Sequence, residues 1–272
     1  MSLRINTNVD ALTAYRNLNN TQNSQSTSIE RLSSGLRINK AADDAAGLAI
    51  SQGLTSQING IGQAVRNAQD GINMVQTADG ALTETQSILQ RMRTLAVQSS
   101  NDSNDANARA DIQTEVTALN SELDRIATKT TFNNVSLLDG SFNAKSFHVG
   151  YAANDTISVS ISNNNSTTLG VNSVNLSSQS GAEAAITAID SAIQTVSTTR
   201  ASLGATQNRF QHTVNNLSVT QTNLQASNSA IQDTDMAQEM SNYSRTQILS
   251  QAGTSMLKQA NSAAQSVLSL LQ

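Results

Sequence analysis

Residues 45–99 read AAGLAISQGLTSQINGIGQAVRNAQDGINMVQTADGALTETQSILQRMRTLAVQS, and their apolar positions form the longest periodic pattern in the chain. From Leu54 to Val75 the apolar steps alternate between four and three residues, and after one extra three-residue step the pattern continues to Ala96, with Thr85 as its one polar member. This spacing is typical of a heptad seam between packed helices. A helix of about 55 residues would be roughly 80 Å long. We therefore expect a mainly α protein, an elongated rod of long antiparallel coiled-coil helices from both termini, with a small β-hairpin region.

The residues just before the predicted long helix and the overall composition narrow the class of protein. Asp43 and Asp44 stand before the long pattern, where a short carboxylate caps a helix more often than it serves acid/base chemistry. The chain has no proline, cysteine or tryptophan and only four Phe and three Tyr, which favours thin seams between helices over a thick globular core. Without cysteine it can form neither disulfides nor thiolate metal sites.

The charge and hydropathy patterns exclude two kinds of partner. The 16 basic and 20 acidic residues are dispersed and give a net charge of −4, so there is no basic stripe to bind nucleic acid. No stretch approaches about 18 consecutive apolar residues, so we expect no membrane partner. The first residues lack the apolar segment of a secretory signal, and any export should therefore proceed without a cleaved signal peptide.

Both ends of the chain carry lean helical patterns. Residues 5–36 hold a sparse apolar stripe that is interrupted by the polar stretch 19–28, and residues 231–271 hold a second one. Either helix would be marginal alone in water, and each is the natural partner of the other. Because two thin stripes bury too little to offset the ordering entropy, we expect further copies of the chain to supply the missing burial.

The middle of the chain changes period twice. A polar reversal at 99–106 precedes a helix from Ile112 to Ile126, residues 147–151 and 157–161 alternate as a β-hairpin, and residues 163–180 read as a loop that leaves room for a short strand at 171–176. A third seam runs over 182–224, where Arg200, Gln207 and Gln221 either fix the register of a buried seam or face solvent. We expect the divisions 1–43 and 227–272 for the terminal helices, and 44–131, 132–180 and 181–226 for the rod.

Short motifs in both halves carry a family resemblance. They are INTN at 5–8, RLSSGLRIN at 31–39, ADDAAGLAI at 42–50, NAQDG at 67–71, LQRMR at 89–93, LAVQ at 95–98, GATQNR at 204–209, QILSQAG at 247–253 and QAN at 259–261. Together and in this order, they make the chain resemble bacterial flagellin, the subunit of the flagellar filament, over roughly residues 1–140 and 180–272. The segment 132–180 is too short for the large outer domains of longer members.

The resemblance implies a self-assembling structural protein for swimming motility. An inner helical layer from the two ends would line a central channel, and the long helices and the hairpin would surround it. The implied partners are further copies in a helical homopolymer, an export chaperone and the filament cap proteins. The implied location is the extracellular flagellum, reached as unfolded chain through the flagellar type III route. Residues expected to assemble the inner layer are Ile5, Val9, Leu12, Leu249, Met256, Leu257, Val267, Leu268 and Leu271.

The family also carries a surface that is recognised by Toll-like receptor 5. The pattern matches here at Gln90, Arg91, Leu95 and Glu115, on two helices expected to lie side by side. Thr94 departs from the glutamate usual in that motif. The same residues have a structural interpretation, in which Leu95 packs and the polar side chains contact other subunits.

Three other functions would require or predict different features. A zinc protease needs HExxH, whereas this chain has only His148 and His212, and it lacks a Walker loop, GxSxG and a cysteine nucleophile. We therefore expect no catalytic site, no metal and no cofactor. A hook-filament junction protein would resemble flagellin at both ends but form a single short ring. A secreted coiled-coil adhesin would have termini that are folded in dilute solution.

Overall fold

The computed structural model describes the backbone of residues 7–269 and the side chains of residues 7–263. In that part the elements are α1 Val9–Ser34, α2 Ala45–Ser99, α3 Ala106–Lys129, β1 Thr131–Phe132, β2 Val135–Ser136, β3 Lys145–His148, β4 Thr156–Val159, α4 Gln179–Gln232 and α5 Met236–Ser269. The predicted class, mainly α with small β-hairpins, is confirmed. The chain divides into two compact units, and the division falls within α2 and α4. The first unit comprises residues 1–56 and 223–272, and the second comprises residues 57–222.

The second unit is built on an antiparallel pair of long helices, α2 and α4. Asp79 is bonded to Arg200, and Arg93 to Asp190, so residue numbers rise on one helix as they fall on the other. Most of the predicted seam residues of α2 are buried, whereas Leu54, Ile58 and Val65 are half-buried. The buried ones share a core with a row on α4. The buried side chains of the two rows are Ile61, Ala68, Ile72, Val75, Ala78, Leu82, Leu89, Met92, Ala96, Ala182, Ile189, Val196, Leu203 and Phe210.

Gly71 lies directly against the Phe210 ring of α4 in this seam. A Cβ atom there would stand 2.8 Å from Cζ of Phe210, a ring with no solvent exposure. The ring cannot easily yield, because it also makes an edge-to-face contact with Phe147, with centroids 5.6 Å apart. The glycine of the NAQDG motif is therefore explained by packing.

Polar positions of the seam are satisfied locally or across it. The hydroxyl of Thr85, in the core of the second unit, donates to the carbonyl of Ala81 one turn earlier at 3.1 Å. Arg200 donates to Asp79 and Gln86 at 2.8 and 2.7 Å, which favours the interpretation in which this residue fixes helix register. Gln207 and Gln221 are half-buried.

Helix α3 lies antiparallel to the end of α2. Asp105 caps its first turn, because its carboxylate accepts the N–H of Ala108 at 2.7 Å. Arg109 then reaches back to the carbonyl of Ser99 at 3.1 Å, which closes the predicted reversal between the two helices. The helix ends at Lys129, and Thr130 caps it immediately before the first hairpin.

Two antiparallel hairpins follow α3. In β1–β2 the turn residues Asn133 and Asn134 both have positive φ, 46° and 63°, a conformation that asparagine tolerates better than most residues. This short hairpin was not predicted. The predicted hairpin is β3–β4, in which Phe147 pairs with Ile157. It is shorter than the alternating pattern suggested, because strand β3 ends at His148 and Tyr151 lies in the connection.

The loop at 163–177 contains no strand, so the short strand considered at 171–176 is wrong. Side chains of α3 take the backbone groups that a strand would have offered to a neighbour. Asn120 donates to the carbonyl of Val171 at 3.0 Å, and Gln113 accepts the N–H of Leu176 at 2.6 Å. Nearer the start of the loop, Ser166 donates its N–H and hydroxyl to Asp124. The loop is thus held by a helix face rather than by a sheet.

The first unit contains α1, α5 and the neighbouring ends of α2 and α4. Asp44 caps α2 as predicted, since its carboxylate accepts the N–H of Gly47 at 2.9 Å. Helix α1 continues through the polar stretch 19–28, where hydroxyls of Thr21, Ser24 and Thr27 donate to carbonyls four residues earlier. The same intrahelical donation recurs on exposed faces of α2, α3, α4 and α5, for example at Thr77, Thr114, Thr206 and Ser244.

Candidate interaction surfaces

The first candidate surface is the pair formed by α1 and α5 in the first unit. The helices are antiparallel: the side-chain amide of Asn8 donates to the carbonyl of Ala260 at 2.9 Å, and Arg31 lies 3.9 Å from Glu239. Between these contacts Leu18 packs over Gly253. The sequence prediction that the two terminal helices partner each other is therefore reproduced by the described residues.

This pair leaves much of its apolar surface uncovered. Val9 and Leu12 on α1 are 60% and 57% exposed, and Leu249 and Met256 on α5 are 50% and 67% exposed. Leu257 is half-buried. Other exposed apolar side chains of the same two helices are Tyr15, Ile29, Met236, Met240 and Ile248. Of the remaining residues expected in the inner layer, Ile5 and Leu271 and the side chains of Val267 and Leu268 lie outside the described residues.

The joint between α1 and α2 is held by polar bonds. Asp43 accepts the N–H groups of Lys40 and Asn39 at 3.0 and 3.1 Å, and these bonds hold the pKa of the Asp43 carboxyl below its ordinary value of 3.8. Lys40 in turn pairs with Glu30 at 2.6 Å, which raises the pKa of Lys40. The motif RLSSGLRIN therefore leads into a defined turn.

A second cluster ties the same joint to the end of α4. The buried hydroxyl of Ser51 lies 2.7 Å from the Asn228 amide oxygen and 2.6 Å from that of Gln232. The backbone N–H of Arg37 donates to the carbonyl of Gln232 at 2.7 Å. These partners lie between 177 and 195 positions apart in sequence, and no local pattern signals them.

The second candidate surface is the set of residues that match the receptor motif. Arg91 on α2 and Glu115 on α3 form an ion pair at 2.7 Å, and both side chains are about half exposed. Gln90 is exposed beside Arg91, and its carbonyl accepts the hydroxyl of Thr94 at 3.1 Å. The structure therefore brings Arg91 and Glu115 together, with Gln90 exposed at the neighbouring position of α2.

Leu95 differs from the other three residues of this motif. It is only 2% exposed and belongs to the core of the second unit. A side chain so deeply buried supports the helix pair beneath the exposed face rather than offering area to a partner.

Among the described residues, no group of three His, Cys, Asp or Glu side chains could hold a metal ion. No helix in the described part of the chain has the length and hydropathy needed to cross a bilayer.

Comparison with known proteins supports the family resemblance of the sequence motifs over nearly the whole chain. The model for the bacterial flagellin N-terminal helical region matches residues 5–143, and the model for the bacterial flagellin C-terminal helical region matches residues 186–271. A flagellin from Halalkalibacterium halodurans is 45% identical over 270 residues, which are 98% of this chain and 99% of that protein.

Two other similarities cover less. Flagellin B from Vibrio cholerae is 50% identical over 184 residues, 68% of this chain, and this chain spans about half the length of that relative. The crystal structure of Bacillus cereus flagellin aligns with a TM-score of 0.52 and 34% identity, covering 56% of this chain and 88% of that structure.

Proposed function

The chain belongs to the bacterial flagellin family, and from this membership we propose that it is the structural subunit of a flagellar filament, a helical homopolymer that serves swimming motility. The observation that carries the proposal is the uncovered apolar surface of α1 and α5. Surfaces of this kind on a soluble protein mark contact sites. Further copies of the chain are the partner that this surface fits.

Assembly draws its free energy from many shallow contacts. Burying the exposed half of side chains such as Leu12 or Met256 contributes about 1 kcal/mol for each residue. A single residue of this size is weak, but a helical polymer repeats every contact in each copy. The function proposed is therefore mechanical, and no side chain is assigned a chemical step.

The location and the remaining partners follow from the same family membership. The subunit would act in the extracellular flagellum after export as unfolded chain without a cleaved signal peptide. An export chaperone would cover the terminal helices before assembly, and cap proteins would guide their addition to the filament. We assign the same role in the inner layer to residues nearer the two ends of the sequence. Together the proposed inner-layer residues are Ile5, Val9, Leu12, Leu249, Met256, Leu257, Val267, Leu268 and Leu271.

Polymerisation of purified protein tests the role of this surface. Leu12→Ser and Met256→Ser combined should leave the helix content of the soluble protein nearly unchanged, because both side chains are already exposed, yet should abolish filaments in electron micrographs. Val219→Ser, which alters a 62% exposed valine on α4, is the matched control and should still polymerise. Filaments of normal length from the double variant would contradict the proposal.

The number of copies separates the filament from the junction alternative. A filament subunit forms tubes of unlimited length, whereas a junction protein stops at one short ring. The adhesin alternative predicts slow amide exchange throughout α1 and α5 in dilute solution. Rapid exchange that becomes slow on polymerisation would support the filament role.

Receptor recognition is a second proposal, carried by the exposed ion pair of Arg91 and Glu115 and the exposed Gln90 beside it in sequence. Toll-like receptor 5 would contact these polar side chains, with Leu95 holding α2 against the core below them. Arg91→Ala should lower signalling in a reporter cell line. Arg93→Ala is the matched control, because Arg93 lies two positions away on the same helix and pairs with Asp190 instead. Equal signalling by both variants and the parent would remove this proposal.

A further inference from the structure

A groove of about 440 Å³ lies in the second unit where the β3–β4 connection meets α2 and α4. Its volume falls within the range of about 300–1,000 Å³ that is common for small-molecule sites. The apolar part of the lining is formed by the buried side chains of Ile61, Val149 and Leu217. The polar part of the lining is formed by Tyr151, Asn154, Asp155, Thr156, Thr213, Asn216 and Thr220.

The polar side chains of the lining are largely unused within the protein. The Thr213 hydroxyl donates to the carbonyl of Arg209 in its own helix at 2.9 Å. Among the described residues, the side chains of Tyr151, Asn154, Asp155 and Asn216 have no hydrogen-bond or ionic partner. Several exposed donors and acceptors thus line one groove and remain available to a ligand.

The connection that carries Tyr151 and Asp155 is held in place. The N–H of Val149 donates to the carbonyl of Asp155 at 2.8 Å, and the side chain of Asn67 donates to the carbonyl of His148 at 2.9 Å. The Asp155 carboxylate lies directly over Gly150, where a Cβ atom would overlap it. Because the site is formed before any ligand arrives, binding would cost little ordering entropy.

The chemistry of the lining selects among ligand classes. No lysine, arginine or histidine lines the groove, which disfavours an anion. An ammonium group only donates hydrogen bonds, so it could make no use of the amide N–H groups of Asn154 and Asn216. A sugar hydroxyl both donates and accepts, and it therefore matches amides, hydroxyls and a carboxylate together. The C–H face of a sugar ring fits against an exposed aromatic side chain, and Tyr151 is 56% exposed.

We propose that this groove binds a neutral carbohydrate through a hexose ring that stacks on Tyr151 and hydrogen-bonds to Asp155 and Asn216. The inference does not depend on filament assembly, since every lining residue belongs to the second unit.

Titration of the full-length soluble protein with methyl glycosides tests the proposal. Amide signals of Tyr151, Asp155 and Asn216 should shift together in ¹H–¹⁵N spectra when glucose, galactose, mannose or N-acetylglucosamine methyl glycosides are added to about 20 mM, a level suited to millimolar dissociation constants. Tyr151→Ala should weaken binding about tenfold, and Asp155→Asn should weaken it by a similar factor through loss of a charge-assisted bond.

Matched control variants distinguish sugar binding in the groove from nonspecific binding elsewhere and from loss of folding. Tyr15→Ala removes an equally exposed tyrosine from α1 and should leave sugar binding unchanged. Asn216→Ala changes α4 rather than the connection, so loss of binding in this variant with unchanged circular dichroism would support the groove even if Asp155→Asn were poorly folded. Absence of shifts with all four glycosides, or equal shifts with lysine amide at the same concentration, would overturn the proposal.

Discussion

The contact between Gly71 and Phe210 leads to a specific prediction about the free energy of unfolding when Gly71 is replaced. Replacing a glycine in a helix interior by alanine normally stabilises a protein by about 1 kcal/mol, because glycine loses more backbone entropy on folding. At position 71 the new methyl group would overlap a ring that is fully buried and fixed by a second ring. Overpacking of this kind costs about 1–3 kcal/mol. Gly71→Ala should therefore be neutral to destabilising, with a net loss of about 1 kcal/mol.

Gly80→Ala is the matched control, because it lies on the same helix with nothing within 4 Å of the added atom. It should stabilise the protein by about 0.5–1 kcal/mol. The difference between the two variants cancels helix propensity and isolates the overpacking cost. Urea unfolding followed by far-ultraviolet circular dichroism would measure it, and the corresponding separation in melting temperature is about 2–4 °C for each kcal/mol.

A third variant tests the cause of the difference. Phe210→Leu removes the obstructing ring, so adding Gly71→Ala to that background should no longer destabilise, and the double-mutant cycle should show a coupling free energy of about 1 kcal/mol or more. The packing explanation would be refuted if Gly71→Ala stabilised the parent protein as much as Gly80→Ala does.

Three further predictions concern single polar positions. Asn134→Gly should stabilise the β1–β2 hairpin by a few tenths to about 1 kcal/mol, because glycine adopts positive φ more readily, and Asn134→Val should destabilise it; thermal melts would contradict this if their order were reversed. Because the folded pKa of Asp43 is the lower one, its contribution to stability is complete above 3.8 and is lost as the pH falls through the folded value; a carboxyl titration by NMR that gave a pKa at or above 3.8 would disprove it. Arg200→Met should cost about 0.5–1 kcal/mol, reduced in high salt since the pair with Asp79 is about one-third exposed, and a salt-independent cost would point to lost packing instead.

Much of the architecture is predictable because it depends on local periodicity. The apolar spacing of 45–99 and the cap at Asp44 both depend on residues within a few turns, and the helix that forms has the bounds the pattern indicates. The side-by-side placement of Arg91 and Glu115 follows as well, since a short reversal between two helices makes them antiparallel neighbours.

The features that escaped prediction depend on partners far away in sequence. The need for glycine at position 71 depends on contact with Phe210, and the conformation of the loop around Val171 depends on a bond from Asn120. Neither could be predicted, because each partner is brought close only by folding. For Leu95 the sequence leaves two interpretations open, packing or contact with a receptor. The packed structure decides between them, because Leu95 faces the core while Arg91 faces outward.

The hydroxyl groups that donate along their own helices have a consequence for crowded surroundings. When a serine or threonine side chain is buried in an interface, its hydroxyl donor is left without a hydrogen bond unless the covering surface supplies an acceptor. On these helices that hydrogen is already engaged with a carbonyl one turn away, at Thr21, Thr77 or Thr206 for instance. Such a helix face interacts well with water, yet a closely packed neighbour can exclude that water with only a small free-energy cost of desolvating the hydroxyl groups.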